Sequence, residues 1–164
     1  MATCFENFQM PPCVWFEGDD KRNPVVSIIA GILFFAGWWF VIDVQSNPDT
    51  EYFNPAYHVC GIFGTLSLLM INSVSNAMVR GDAYSGGCFG PRGARAWLFV
   101  GFVMGFGAVI ASCWILIANY LSYEPGKNEK PRGTYPGVGL FLQNALIFIG
   151  SLVFKFGRVE DHWN

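Results

Sequence analysis

Residues 96–123 read AWLFVGFVMGFGAVIASCWILIANYLSY, a run of 28 positions without a charged side chain. A helix rises about 1.5 Å per residue, so about 20 apolar residues are enough to cross the hydrocarbon core of a bilayer. Helices of soluble proteins alternate apolar and polar faces, and this run does not. The stretch therefore predicts a transmembrane helix.

Three other stretches have the same character, with 18 uncharged residues at 25–42, 21 at 59–79 and 22 at 133–154. The continuous apolar runs exclude a transmembrane barrel, whose strands alternate. We expect an all-α integral membrane bundle of four helices. The expected spans are about 25–43, 58–79, 96–121 and 137–156.

The composition of the whole chain agrees with this class. Of 164 residues, 52% are hydrophobic and 13% are charged, whereas soluble domains carry about 25% charged residues. This argues against a disordered chain and against an ordinary soluble domain. The net charge of −2 excludes the basic footprint of a nucleic-acid-binding protein.

The short loops differ in positive charge, and this difference predicts the orientation. One side carries Lys21, Arg22, Arg80, Arg92, Arg95, Lys155 and Arg158, and the other carries Lys127, Lys130 and Arg132. The side richer in Lys and Arg faces the cytosol, so we expect both termini there. The expected organisation is a cytosolic segment at 1–24, a membrane domain at 25–156 and a cytosolic tail at 157–164. Residues 1–24 lack the basic start of a signal peptide, so the first helix is expected to be retained.

Amides inside the spans are the first candidate site. Asn72 and Asn76 are four residues apart, which predicts one face of the second helix, and Gln143 and Asn144 lie on the fourth. Hydrogen bonds between helices, worth about 0.6 kcal/mol each, are the favoured interpretation. A polar cavity for a substrate or a lipid head group is the alternative. No ionisable group lies mid-span to support an ion relay.

Small residues on the third helix form the second candidate. Gly101 and Gly105 have the GxxxG spacing, and Ala108 and Ser112 continue it. Such a face lets another backbone approach closely. The approaching helix is either the second helix of this chain or part of another membrane protein.

The ends of the spans carry further candidates. Trp38 and Trp39 predict a membrane–water interface, and Asp43 just beyond them is expected to be solvated, with a lumenal contact point as the alternative. Cys13 and Cys88 lie close to predicted spans, so palmitoylation is considered for both. His58 and His162 have no third ligand nearby, which argues against a metal site, and no catalytic or cofactor motif is present. We therefore expect no enzyme activity and no cofactor.

The second and fourth helices resemble each other at an offset of 78 residues. Seven of 26 positions are identical, and the matching pairs are Tyr57 and Tyr135, Gly61 and Gly139, Phe63 and Phe141, Leu68 and Leu146, Ile71 and Ile149, Ser73 and Ser151, and Arg80 and Arg158. Duplication and shared composition explain the pairs equally well.

Four segments of the chain resemble the transmembrane protein 50 family. They read GWWFVID (37–43), LMINSVSNAMVRGDAYSGGCFG (69–90), GARAWLFVGF (93–102) and SLVFKFGRVEDHW (151–163). The resemblance implies a four-span endomembrane protein with cytosolic ends and no defined catalytic residue. The fungal vacuolar protein sorting 68 proteins are more distantly similar. That likeness implies a role in sorting from endosome to vacuole, beside a small four-span protein of the endospanin (vacuolar sorting 55) family.

Two functions remain in competition. The first is a non-enzymatic accessory or assembly subunit that contacts other membrane proteins during endosome or Golgi to vacuole or lysosome sorting. The alternative is a small transporter or lipid-binding module with an intramembrane polar site. The endoplasmic reticulum, the Golgi and the endosome are all compatible locations.

Overall fold

A computed structural model describes residues 22–47, 53–81, 90–126 and 133–159, and the structural statements below concern these segments. Five α-helices follow one another along them, and two short helical turns extend two of the five. The helices are α1 (Arg22–Ser46), α2 (His58–Asn72), α3 (Asn76–Arg80), α4 (Pro91–Leu116) and α5 (Tyr135–Gly157). A 3-10 turn, Pro55–Tyr57, precedes α2, and a π-helical turn, Ile117–Leu121, continues α4.

Four of these helical stretches are long and apolar enough to cross a membrane. They are Arg22–Ser46, Pro55–Asn72, Pro91–Leu121 and Tyr135–Gly157. The predicted all-α four-helix membrane bundle is therefore confirmed, and the chain is a multi-pass membrane protein. The third stretch has 31 residues, or about 46 Å of helix, so it tilts or extends beyond a hydrocarbon core of about 30 Å.

The helices run alternately up and down, so the bundle has two distinct ends. We call the end that carries Arg22, Arg80, Pro91 and Gly157 the termini end. The opposite end is the hairpin end, where Ser46, Pro55, Leu121 and Tyr135 lie. The sequence predicts that the termini end faces the cytosol.

Helix α5 is the centre of the bundle. It packs against α1, α2 and α4, whereas α1 packs chiefly on α5, and α2 and α4 pack on each other as well. The helices approach closely where glycine removes a side chain. A Cβ placed on Gly37 of α1 would lie 2.9 Å from the carbonyl oxygen of Gln143 on α5. The outer faces carry exposed apolar side chains, as expected against lipid; examples are Phe35, Trp39, Phe99, Ile110 and Trp114.

The second predicted span, 58–79, is not one continuous helix. Helix α2 ends at Asn72, and α3 begins only at Asn76. Ser75 takes an extended backbone conformation, and its hydroxyl accepts a hydrogen bond from the backbone N–H of Met78, which makes it an N-cap. The expectation that Asn72 and Asn76 share one helix face is therefore wrong, because the helix restarts between them.

The other helices extend past the predicted limits. Helix α1 covers 22–46 instead of about 25–43, and α4 begins at Pro91 instead of near 96. The predicted first span ended at Asp43 and the predicted third span began after Arg95, but helical hydrogen bonding continues past both of these exposed charged side chains. Pro91 stands in the first turn of α4, where its missing N–H leaves no hydrogen bond unmade.

Candidate functional site

The interior of the bundle contains two adjacent amides on α5. Gln143 is 0% exposed and Asn144 is 1% exposed. The Asn144 Nδ2 donates to the carbonyl of Leu140 at 2.9 Å, one turn earlier on the same helix. Neither amide atom of Gln143 has a hydrogen-bond partner among the described residues, and the same holds for the Asn144 Oδ1. Burial of an unpaired amide typically costs about 1–3 kcal/mol.

Glycines of the neighbouring helices enclose these amides. A Cβ on Gly61 of α2 would lie 2.5 Å from the Gln143 Nε2, and one on Gly64 would lie 3.2 Å from the Asn144 Oδ1. The amides thus press against the glycine backbone of α2. This arrangement leaves no space beside Gln143 for a further group on the α2 side.

Asn72 forms the polar bridge between α2 and α5. Its Nδ2 donates to the hydroxyl of Ser151 at 3.2 Å and to the carbonyl of Leu68 at 2.9 Å. Asn76, the other amide predicted for this site, is the first residue of α3 and is half-buried. The four predicted amides are therefore divided between two levels of the bundle.

The small-residue face of α4 packs inside this chain. Gly101, Gly105, Ala108 and Ser112 are all buried. The Ser67 hydroxyl of α2 donates to the carbonyl of Gly101 at 2.7 Å. Of the two helices proposed to meet this face, the structure places α2 of the same chain there. A contact with another protein would need a different surface.

A buried lysine at the termini end was not recognised as a site residue from the sequence. Lys155 of α5 is 5% exposed, and its Nζ donates to the carbonyl of Val74. Val74 lies in the turn after α2, where helix carbonyls lose their usual partners. Charge counting used Lys155 only to predict sidedness. The spacing of Ile147, Ser151 and Lys155 could have revealed that this lysine is buried. The three residues are four positions apart, so they lie on the same face of α5, and that face is buried.

Further hydrogen bonds join helix ends at the termini end. The Arg22 Nε donates to the carbonyl of Gly157 at 3.0 Å, and the Arg95 Nε donates to that of Val79 at 2.9 Å. The indole Nε1 of Trp97 donates to the Ser73 hydroxyl at 3.1 Å. Cations that bind carbonyls at helix C-termini also meet the negative end of the helix dipole.

The hairpin end has its own polar contacts. The Asp43 Oδ2 accepts a hydrogen bond from the hydroxyl of Tyr135, so this exposed carboxylate joins α1 to α5 in addition to facing solvent. The Asn119 Nδ2 donates to the hydroxyl of Tyr57 at 3.0 Å. Of the two interfacial tryptophans, Trp39 is exposed and Trp38 is half-buried.

The cysteine and histidine predictions are only partly covered by the described segments. Cys13, Cys88 and His162 lie outside them. Cys60 and Cys113 are half-buried free thiols. His58 meets the ring of Phe53 edge-on, with 5.4 Å between ring centres. Within 22–47, 53–81, 90–126 and 133–159, no three His, Cys, Asp or Glu side chains are grouped to hold a metal ion.

Comparisons with known proteins identify relatives over almost the whole chain. A model of an uncharacterised protein family, UPF0220, matches residues 4–163. A transmembrane protein 50 homolog of Dictyostelium discoideum is 34% identical over 149 residues, which cover 83% of this chain and 92% of the relative. Vacuolar protein sorting-associated protein 68 of Saccharomyces cerevisiae is 27% identical over 158 residues, which cover 83% of this chain and 82% of that relative. No solved structure matches the chain. The chain therefore belongs to the UPF0220 family, and the resemblance to the transmembrane protein 50 family seen in its sequence is confirmed.

Proposed function

We propose that this protein is a non-enzymatic accessory or assembly subunit in endomembrane trafficking, acting in endosome or Golgi to vacuole or lysosome sorting. The observation that carries the proposal is the likeness to a yeast protein named for vacuolar sorting, which extends over 83% of this chain. The four-span bundle supports a membrane-embedded role. The proposed partners are other membrane proteins, with a small four-span protein of the endospanin family as the first candidate.

The structure limits where such a partner would bind. The small-residue face of α4 is already occupied by α2, so it is not free for another protein. Large apolar side chains remain exposed on the outer faces of α1 and α4, including Phe35 and Trp39 on α1 and Trp114 on α4. Aromatic side chains dominate the energy of many interfaces, so these two faces are the proposed contact surfaces.

The alternative function, a small transporter or lipid-binding module with an intramembrane polar site, depends on the amides. The unpaired amide of Gln143 is the observation that favours it. Against it, Gln143 and Asn144 are enclosed by α2 glycines and are at most 1% exposed. A ligand could reach them only if α2 moved away from α5. The accessory role is therefore the proposal we prefer.

The test uses the full-length protein in its native membrane. A photo-crosslinking amino acid replaces Phe35 on α1 or Trp114 on α4 in separate variants, with Ile71 in the buried interior as a matched negative position. After irradiation and extraction in mild detergent, we expect one outer face to yield a discrete adduct with another membrane protein. We also expect that loss of the protein misdirects vacuolar or lysosomal cargo. Recovery of the chain alone from both outer positions, with unchanged cargo sorting, would contradict the proposal.

A further inference from the structure

Hydrogen bonds join α1 and α5 at both ends of the bundle. At the termini end, the Asn23 Nδ2 donates to the carbonyl of Val159 at 3.0 Å, and the backbone N–H of Val159 donates to the Asn23 Oδ1 at 2.8 Å. At the hairpin end, the Tyr135 hydroxyl donates to Asp43. We call these helices the α1/α5 pair, because polar contacts hold them together at both ends.

Helices α2 and α4 form a second pair of the same kind. The Ser67 hydroxyl donates to the carbonyl of Gly101 at 2.7 Å in the interior. At the hairpin end, the Nδ2 of Asn119, in the turn that continues α4, donates to the hydroxyl of Tyr57, directly before α2, at 3.0 Å. At the termini end, Trp97 of α4 donates to the residue that directly follows α2. The α2/α4 pair is therefore held along its whole length.

The hydrogen bonds between α2 and α5 lie near the termini end. Asn72 of α2 donates to the Ser151 hydroxyl of α5 at 3.2 Å, and Lys155 of α5 donates to the carbonyl of Val74. Gln143 precedes Ser151 by eight residues, so it lies about 12 Å farther along α5 toward the hairpin end. Among the described residues, no hydrogen bond joins α2 to α5 at the level of Gln143. The hairpin half of this contact is therefore held by packing.

This hairpin half contains the amide atoms that lack hydrogen bonds. Both amide atoms of Gln143 and the Asn144 Oδ1 have no partner in the described part of the chain. They face Gly61 and Gly64 of α2, which have no side chains to interlock with them. Separation of α2 from α5 at this level would therefore give up little side-chain contact from α2. Water or another polar group would then supply the missing hydrogen bonds.

Helix α1 does not hold α2 against α5. Helix α1 packs chiefly on α5, and an apolar groove of about 320 Å³ lies between α1 and α2, where Phe34 and Leu69 are among the lining residues. The eight residues 47–54 that connect Ser46 to Pro55 can span about 26 Å when extended, so their length permits a movement of α2. Helix α2 can thus move relative to α5 while it keeps its bonds to α4.

We propose that the bundle opens at its hairpin end: α2 swings away from α5 about the contacts of Asn72 and Lys155, and Gln143 and Asn144 become accessible to water and to other polar groups. The α1/α5 and α2/α4 pairs stay intact during this movement. The movement goes beyond the accessory role, which assigns none. It also gives the polar-site alternative the access route that the closed bundle lacks.

The test measures how fast buried thiols react with a charged, water-soluble methanethiosulfonate in sealed vesicles that contain the full-length protein. Asn144→Cys places a thiol at the proposed opening, whereas Ser67→Cys places one between α2 and α4, inside a pair. The two positions are matched, since each wild-type residue is 1% exposed. Peptide mass spectrometry separates the new thiols from the native cysteines, and the reagent is added from one side of the membrane at a time.

We expect Asn144→Cys to react about tenfold faster than Ser67→Cys, and faster from the hairpin side than from the termini side. Gln143→Met in the Asn144→Cys background should slow the reaction about fivefold, because the open form no longer gains the hydrogen bonds of that amide. Ser112→Ala is the control for this second change, since Ser112 is fully buried but its hydroxyl donates to the Val109 carbonyl on its own helix. It should leave the rate within about twofold.

Three results would overturn the proposal. Equal rates at the two thiols would show that the hairpin half opens no more than the interior of a pair. Equal rates from the two sides of the membrane would show that the reagent does not enter at the hairpin end. An unchanged rate in Gln143→Met would show that the unpaired amide does not favour the open form. None of these results bears on the accessory role, whose test uses the outer faces of α1 and α4.

Discussion

Helices α2 and α5 have matching residues at an offset of 78 positions, yet they behave differently at the termini end. Helix α5 continues unbroken to Gly157, whereas α2 stops at Asn72. Ile71 of α2 is fully buried, but Ile149, its counterpart in α5, is 47% exposed. Ser151 of α5 is buried, and Ser73, the residue directly after α2, is exposed. Similar residues therefore meet different environments, because α5 has neighbours on three sides and α2 does not.

The break after α2 is tolerated because other groups satisfy it. Ser75 caps α3, and Lys155 of α5 donates to the carbonyl of Val74 in the turn. An unpaired buried carbonyl costs about 1–3 kcal/mol, so we expect the break to depend on the lysine. We infer from the difference between the two helices that the early end of α2 depends on Lys155, a side chain of α5.

The largest expected effect tests that dependence directly. Lys155→Met should lower the free energy of unfolding by about 2–4 kcal/mol, because it removes a charged hydrogen bond and leaves the Val74 carbonyl unpaired. Unfolding in mixed detergent micelles measures this. Arg95→Met is the matched control, since Arg95 also donates to a carbonyl near α3 but is exposed; its effect should stay under about 1 kcal/mol. Equal losses in the two variants would show that the break does not depend on the buried lysine.

The close approach of α2 to α5 should give the next largest effect. Gly61→Ala would place a Cβ 2.5 Å from the Gln143 Nε2, so the buried amide must move, and we expect a loss of about 1–3 kcal/mol. Gly31→Ala meets nothing within 4 Å and should instead stabilise α1 by about 0.5–1 kcal/mol, because alanine is the better helix former. The same unfolding measurement compares them. If both variants gain stability, the α2–α5 contact is looser than described.

The unpaired amide of α5 leads to a smaller prediction. Gln143→Met should be neutral or stabilising by up to about 1 kcal/mol, since it replaces an unsatisfied buried amide with an apolar chain of similar length. Thermal denaturation in detergent provides the measurement, and cargo sorting should be unchanged. A clear loss of stability would show that the amide has a partner in the membrane. Loss of sorting at unchanged stability would instead favour the polar-site function.

The hydrogen bond between Asn72 and Ser151 should have the smallest effect. Ser151→Ala removes one polar contact between α2 and α5, and we expect a loss of about 0.6 kcal/mol. Ser73→Ala alters the counterpart of Ser151, which directly follows α2, is exposed and accepts a hydrogen bond from Trp97, and this change should cost less. A larger loss for Ser73→Ala would reverse the proposed ranking of buried and exposed positions.

The sequence predicts the spans well because the membrane imposes a single requirement on each of them, a long uncharged run. The break after Asn72 was missed because hydropathy does not detect an N-cap. Ser75 interrupts the helical backbone without adding a charged side chain. Lys155 was missed for a related reason, since a lysine near the end of a span normally extends to the interface. Its burial depends on Val74, a residue 81 positions away.

The candidate site was less predictable than the fold. The small-residue face of α4 was visible as a pattern, but two helices could have met it, and only the three-dimensional packing identifies α2. The amides illustrate the same difficulty. Asn72 and Gln143 have equivalent side-chain chemistry, yet one bridges two helices and the other has no hydrogen-bond partner in the described part of the chain.

The central position of α5 has a consequence for biosynthesis. Among the described helices, the ribosome makes α5 last, so α1, α2 and α4 enter the membrane before their common neighbour exists. Helices α2 and α4 can pair as soon as both are made, through Ser67 and Gly101. Helix α1 stays surrounded by lipid until α5, its main packing partner, is inserted. Until then α1 is a lone helix that quality-control factors could retain or degrade. Premature termination before α5 would leave α1 without its main contact, so the newly synthesised chain is most vulnerable before α5 is made.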